Sequence, residues 1–65
     1  MFIIEIKVQY RDEHDNVMIS PIIHFTVPYK WVRFQDDSIE IFNNIAGEWL
    51  PYKKDRLVYL NIERE

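Results

Sequence analysis

Apolar and polar residues alternate over residues 1–10. Phe2, Ile4, Ile6, Val8 and Tyr10 fall on one side, and Ile3, Glu5, Lys7 and Gln9 on the other. A period of two is that of a half-buried strand. The same period returns over 17–27, where Val17, Ile19, Pro21, Ile23, Phe25 and Val27 share a side. Between the two runs lies Arg11-Asp12-Glu13-His14-Asp15-Asn16, a polar segment of turn-forming type. Setting Tyr10 opposite Val17 aligns both apolar sides, so the pattern predicts a β-hairpin. Pro21 has no N–H to give a ladder, which puts the second strand at an edge or at a bulge.

The stretch 36–51, DDSIEIFNNIAGEWLP, loses strict alternation after Phe42. At about 100° per residue, Ile39, Ile41, Phe42, Ile45, Ala46, Trp49 and Leu50 occupy one half of a helical wheel. Asp37 followed by Glu40 resembles a capping box, and Pro51 closes the segment. The pattern therefore predicts a helix, which Gly47 either interrupts or ends as its C′ residue. Residues 28–35 (PYKWVRFQ) read as a loop or a short extra strand. Residues 56–63 give a last strand, with Val58, Leu60 and Ile62 on one face and Leu57, Tyr59 and Asn61 on the other. The expected architecture is α+β in a single domain, residues 1–65. It is a ββαβ chain with a three-stranded antiparallel sheet of order 2-1-3 and one helix packed on one face. The alternative, if 36–43 is extended, is an all-β barrel of five strands.

A chain of 65 residues is small for a core, yet 48% of it is apolar and 15% aromatic, which is no disordered composition. It has no cysteine, so neither a disulfide nor a thiolate metal site can staple it. No apolar run approaches the roughly 20 residues of a membrane span, and the first residues lack a secretory pattern. A cytoplasmic location follows as the expectation. The net charge of −3 is too mild to argue for a polyanion partner.

Candidate chemistry is sparse. His14 and His24 have no second histidine at helical spacing, and Asp12-Glu13-His14-Asp15 lacks the glycine and distal glutamate of a calcium loop. Ser20 and Thr26 lie near His24 on a strand but with no oxyanion donors in prospect. A single glycine excludes a glycine-rich phosphate cradle. Asp36 and Asp37 suit a helix N-terminus better than acid–base work. The expectation is a protein that is not an enzyme and has neither cofactor nor metal.

Two aromatic–basic clusters remain: Tyr29-Lys30-Trp31-Val32-Arg33-Phe34, and Trp49 with Tyr52, Lys53, Lys54 and Arg56. Aromatics among cations can stack bases, so a single-stranded nucleic-acid-binding domain is the alternative function. The leading expectation comes from the ββαβ layout, in which one helix leaves a sheet face uncovered. That face would show Ile3, Met18, Ile22, His24, Leu57 and Tyr59, unless the 28–35 loop covers it with Trp31 and Phe34. Tyr29, Trp31 and Arg33 would anchor a partner at its margin. The partner is another protein or a second copy, and no membrane is involved.

Hairpin, helix and strand in 65 residues resemble the small phage-encoded inhibitors of host RNA polymerase from T7-type phages. The matching features are Phe2 opening the first strand, Val27-Pro28 closing the second, Ala46 with Trp49, and the closing strand 57–62. The resemblance implies that such a scaffold can act as a stoichiometric protein binder. The expected function is thus a small non-catalytic module, working as adaptor, inhibitor, regulator or subunit.

Overall fold

The computed structural model describes all 65 residues, and seven strands account for most of them. They are β1 (Phe2–Arg11), β2 (Val17–Ile19), β3 (Ile23–Val27), β4 (Val32–Phe34), β5 (Ser38–Asn43), β6 (Glu48–Lys53) and β7 (Leu57–Arg64). Two 3₁₀ turns, Tyr29–Trp31 and Lys54–Arg56, carry the chain from the first sheet to the second and back. No helix is long and apolar enough to cross a membrane.

β1 is the spine of the first sheet. β2 and β3 pair antiparallel along one of its edges and β7 along the other. Its inward side chains, Ile4 and Ile6, are the most deeply buried in the molecule. Ile4 lies opposite Phe25 of β3 and Ile62 of β7, and Ile6 opposite Ile23 and Leu60. The second sheet has the order β4-β5-β6. It turns Val32, Ile39 and Ile41 inward, and these pack on Ile4, Ile6 and Val27 to form the core. Strand alternation thus supplies half of the core from each sheet.

This arrangement overturns the α+β reading, and with it the helix expected over 36–51. Residues 38–43 and 48–53 are instead the two arms of a β-hairpin. Asn43 makes the turn: its Oδ1 accepts from the amides of Ile45 (3.0 Å) and Ala46 (3.1 Å). Gly47 closes it at φ 70°, giving its N–H to the Asn43 carbonyl at 2.7 Å. The Asp37–Glu40 pair caps nothing. Asp37 lies in the loop before β5 and its carbonyl accepts from the Lys54 amide at 2.9 Å. Pro51 is tolerated because β6 is an edge strand. The hairpin–helix–strand order through which the chain resembles the phage inhibitors is therefore replaced by two antiparallel sheets. The five-stranded barrel shares the all-β class, but the chain has seven strands in two sheets.

No atom lies within 4 Å of a Cβ built on Gly47, so an alanine there meets only the backbone cost of a positive φ. Gly47→Ala should lose about 1–2 kcal/mol, and Gly47→Asn clearly less, in denaturant melts. Equal losses for both would contradict this turn geometry.

The first hairpin forms, with a register the alternation did not reveal. Val17 pairs with Arg11, and Tyr10 with Met18. Asp12 sets this by folding the loop on itself. Its amide donates to the Asn16 carbonyl at 3.0 Å, and its Oδ1 accepts from the amides of Asn16 and His14, both at 2.9 Å. These bonds, that of the Asn16 amide foremost, hold the Asp12 carboxyl below its ordinary pKa. Further along, Pro21 and Ile22 together face the single residue Lys7, a β-bulge that returns Ile23, Phe25 and Val27 to the inward side. Ser20 covers the bulge, its amide donating to the Val8 carbonyl and its Oγ accepting from the Val8 amide, each at 2.9 Å.

Candidate functional site

The expected partner residues do not form one surface. Ile3, His24 and Tyr59 lie on the outward face of the first sheet, among Glu5, Lys7, Thr26, Asn61 and Glu63. That face is chiefly polar and is not an uncovered apolar patch. Met18 lies beside Tyr10 near the hairpin tip, and Ile22 lies in the bulge; all three are exposed. Leu57 turns the other way and packs against the core, because a bulge at Val58 shifts the β1–β7 register beyond Lys7. Tyr29 lies at the opposite end of the molecule. Its ring stands edge-on to Phe2 at 4.7 Å, the Arg64 guanidinium lies 4.8 Å from it, and its hydroxyl donates to the Glu65 carbonyl.

Trp31 and Arg33 are the two that converge, with Phe42 of β5 and Trp49 of β6. Alternation along the second sheet turns Phe42 and Trp49 away from the core, opposite one another in the β5–β6 ladder. Their rings are 5.4 Å apart, and Trp31 adds a third ring 5.6 Å from Phe42, edge to face. The Arg33 guanidinium lies 3.7 Å from the Trp49 ring centre, a close cation–π contact. All three rings are half-buried, so each keeps a face or edge in water.

At the inner end of this row the sheets part to leave a cleft of about 300 Å³. Phe25 and Val27 of β3 form one wall, and Ile41, Phe42, Leu50 and Tyr52 the other, with Trp31 between them. Phe25 and Tyr52 meet edge to face at 5.6 Å. Burial raises the Tyr52 hydroxyl pKa above that of a free phenol. Thr26, Asn43 and Asn44 are the polar lining. No carboxylate, histidine, lysine or arginine lines the cleft. Apolar walls with a few amide and hydroxyl groups suit recognition of a mostly apolar group.

A second cluster has the residue types of a nucleophilic triad. The His24 Nε2 lies 3.2 Å from Thr26 Oγ1, and its Nδ1 lies 3.9 Å from Glu5 Oε2. The latter distance is too long for the hydrogen bond that orients a catalytic imidazole. The three stand on an open sheet face, and the geometry is that of cross-strand surface contacts. In the hairpin loop, Asp12 is consumed by its own turn and Arg11 pairs with Asp15 at 3.5 Å, so Asp12-Glu13-His14-Asp15 is a solvated turn.

Searches against protein-family models, characterised proteins and solved structures found no match to this chain.

Proposed function

We propose that this chain is a small cytoplasmic protein-binding module, without turnover, that takes a large apolar side chain of an extended polypeptide into the cleft between its sheets. One observation carries the reading: two tryptophans and a phenylalanine, normally buried in so small a domain, line up half-exposed beside an open apolar cleft. Aromatic and arginine side chains concentrate binding energy at interfaces, and Arg33 on Trp49 holds that ring in place. Asn44, and the Nδ2 of Asn43 that the turn does not use, are suited to hydrogen-bond the backbone of an extended segment. The docking surface therefore moves from the outward face of the first sheet to the cleft.

The test is selection from a random peptide library on the folded chain. Selected peptides should share one large apolar anchor, and Phe42→Ala should weaken them about 30-fold, the effect of a 2 kcal/mol hot spot. Ile22→Glu, far along the first hairpin, should leave them unchanged. Peptides with no common apolar position, or equal binding to Phe42→Ala, contradict the reading.

The row Arg33–Trp49–Phe42–Trp31 also supports a second reading, a stacking platform for single-stranded nucleic acid. Titration with oligonucleotides at two salt concentrations separates the two. Binding that weakens steeply with salt favours nucleic acid, and none at low salt removes it.

A further inference from the structure

Four of the side chains that line the cleft are aromatic, Phe25, Trp31, Phe42 and Tyr52, and all four are half-buried. They form two edge-to-face pairs, Phe25 with Tyr52 and Trp31 with Phe42, inclined at 63° and 62°. Parallel rings would frame a slot for a flat group, whereas steeply inclined rings enclose a rounded one. The faces of aromatic rings carry negative potential and attract a cation, most strongly when it has shed its water. No lysine, arginine or histidine in the lining opposes one, and the chain as a whole carries a net charge of −3. The next ring of the same row already holds a cation, the Arg33 guanidinium 3.7 Å from the Trp49 ring centre. On the reading that a polypeptide side chain enters this cleft, we propose that the side chain it prefers is trimethyllysine, its quaternary ammonium group set among the four rings.

Size and hydrogen bonding both select this group. The cleft volume of about 300 Å³ exceeds the roughly 150 Å³ of a cavity that admits benzene, so the head group and its adjoining methylenes fit. An unmethylated lysine would bring three N–H donors into the cleft. The polar lining is Thr26, Asn43 and Asn44 with no carboxylate, and Asn43 Oδ1 already accepts from two turn amides. Lysine would therefore be left with unpaired buried donors, a costly state for a charged group. Full methylation removes every N–H and wraps the charge in apolar surface, so the cleft that rejects lysine accepts its trimethylated form. Free choline carries the same head group, but it has no backbone for Asn44 to bond.

The experiment is a nuclear magnetic resonance titration of the whole chain with glycine–serine peptides that differ in one guest residue. The guests are trimethyllysine, its neutral isostere with carbon in place of nitrogen, lysine and leucine. Trimethyllysine should move the Trp31 and Tyr52 signals and bind about tenfold tighter than the isostere, which has its shape without the charge. It should exceed lysine, which has the charge without the methyl groups, by a similar factor, and choline should bind more weakly than the peptide. Phe42→Leu keeps an apolar wall but removes a ring, and should reduce the advantage over the isostere to about threefold or less. An isostere as tight as trimethyllysine overturns the proposal and leaves an apolar cleft that binds peptides. Lysine as tight as trimethyllysine also overturns it, since general attraction to an acidic chain would then suffice. Choline as tight as the peptide overturns the polypeptide source. Only a failure of all four guests, leucine included, would remove the peptide reading as well, so the two proposals fail separately.

Discussion

Replacing Ile4 with alanine is expected to remove about a third or more of the chain's folding stability. Ile4 is 0% exposed, at the middle of β1 with a strand on either side and the second sheet above it. Removing its outer carbons from a site clamped on three sides leaves a cavity that cannot collapse, which costs about 3–4 kcal/mol. A domain of this length has about 3–10 kcal/mol in all. Equilibrium unfolding in urea should show the midpoint falling accordingly, with Ile4→Val losing about 1 kcal/mol. A loss below about 1 kcal/mol for the alanine variant would show that β1 is not the spine of the core.

The second large effect is a contrast between two isoleucines six residues apart. Ile39 is inward on β5 and buried, and Ile39→Ala should cost about 2–4 kcal/mol. Ile45 is 95% exposed in the β5–β6 turn, where its side chain holds nothing. Ile45→Ala should change stability by less than about 0.5 kcal/mol. In a helix over 36–51 both would be on the buried half, and both substitutions would be severe. Thermal melts of the two variants side by side distinguish these cases.

That contrast also shows why the second sheet was hard to read. A strand announces itself by alternation, but Phe42 faces outward and is apolar because Trp31 and Trp49 shelter it. Ile39, Glu40 and Ile41 alternate, but Phe42 puts an apolar residue on the outward side and ends the period. Ile45 and Ala46 then completed a helical stripe, although both are turn residues. The better signals were physical and local. β-Branched isoleucines favour a strand, Asn43 folds the turn onto its own side chain, and Gly47 is the residue that tolerates its left-handed end.

The first sheet was more legible, since β1 keeps clean alternation and its partner runs share it. The inward set Phe2, Ile4, Ile6, Ile23 and Phe25 is recoverable from periodicity alone. The register of β2 was not, because the bonds of Asp12 across the loop set it and the bulge at Pro21-Ile22 then reverses its consequence. Pro21 signalled that bulge. A bulge at Val58 likewise turned Leu57 inward, which no alternation in 56–63 discloses. Of the expected site, Trp31 lines the cleft and Arg33 stacks on Trp49 in the aromatic row beside it. The other walls are Phe25, Val27, Ile41, Phe42 and Leu50, which the pattern assigns to core faces, and Tyr52, which it assigns to an aromatic–basic cluster.

Nuclear Overhauser contacts within residues 38–53 test the two-sheet architecture most directly. Cross-strand contacts between Ile41 and Leu50, Phe42 and Trp49, and Ile39 and Tyr52 are the expected result. Contacts running three residues apart from Ile39 to Trp49, with no cross-strand set, would mean a helix there, and the second sheet, the aromatic row and the cleft would all be lost.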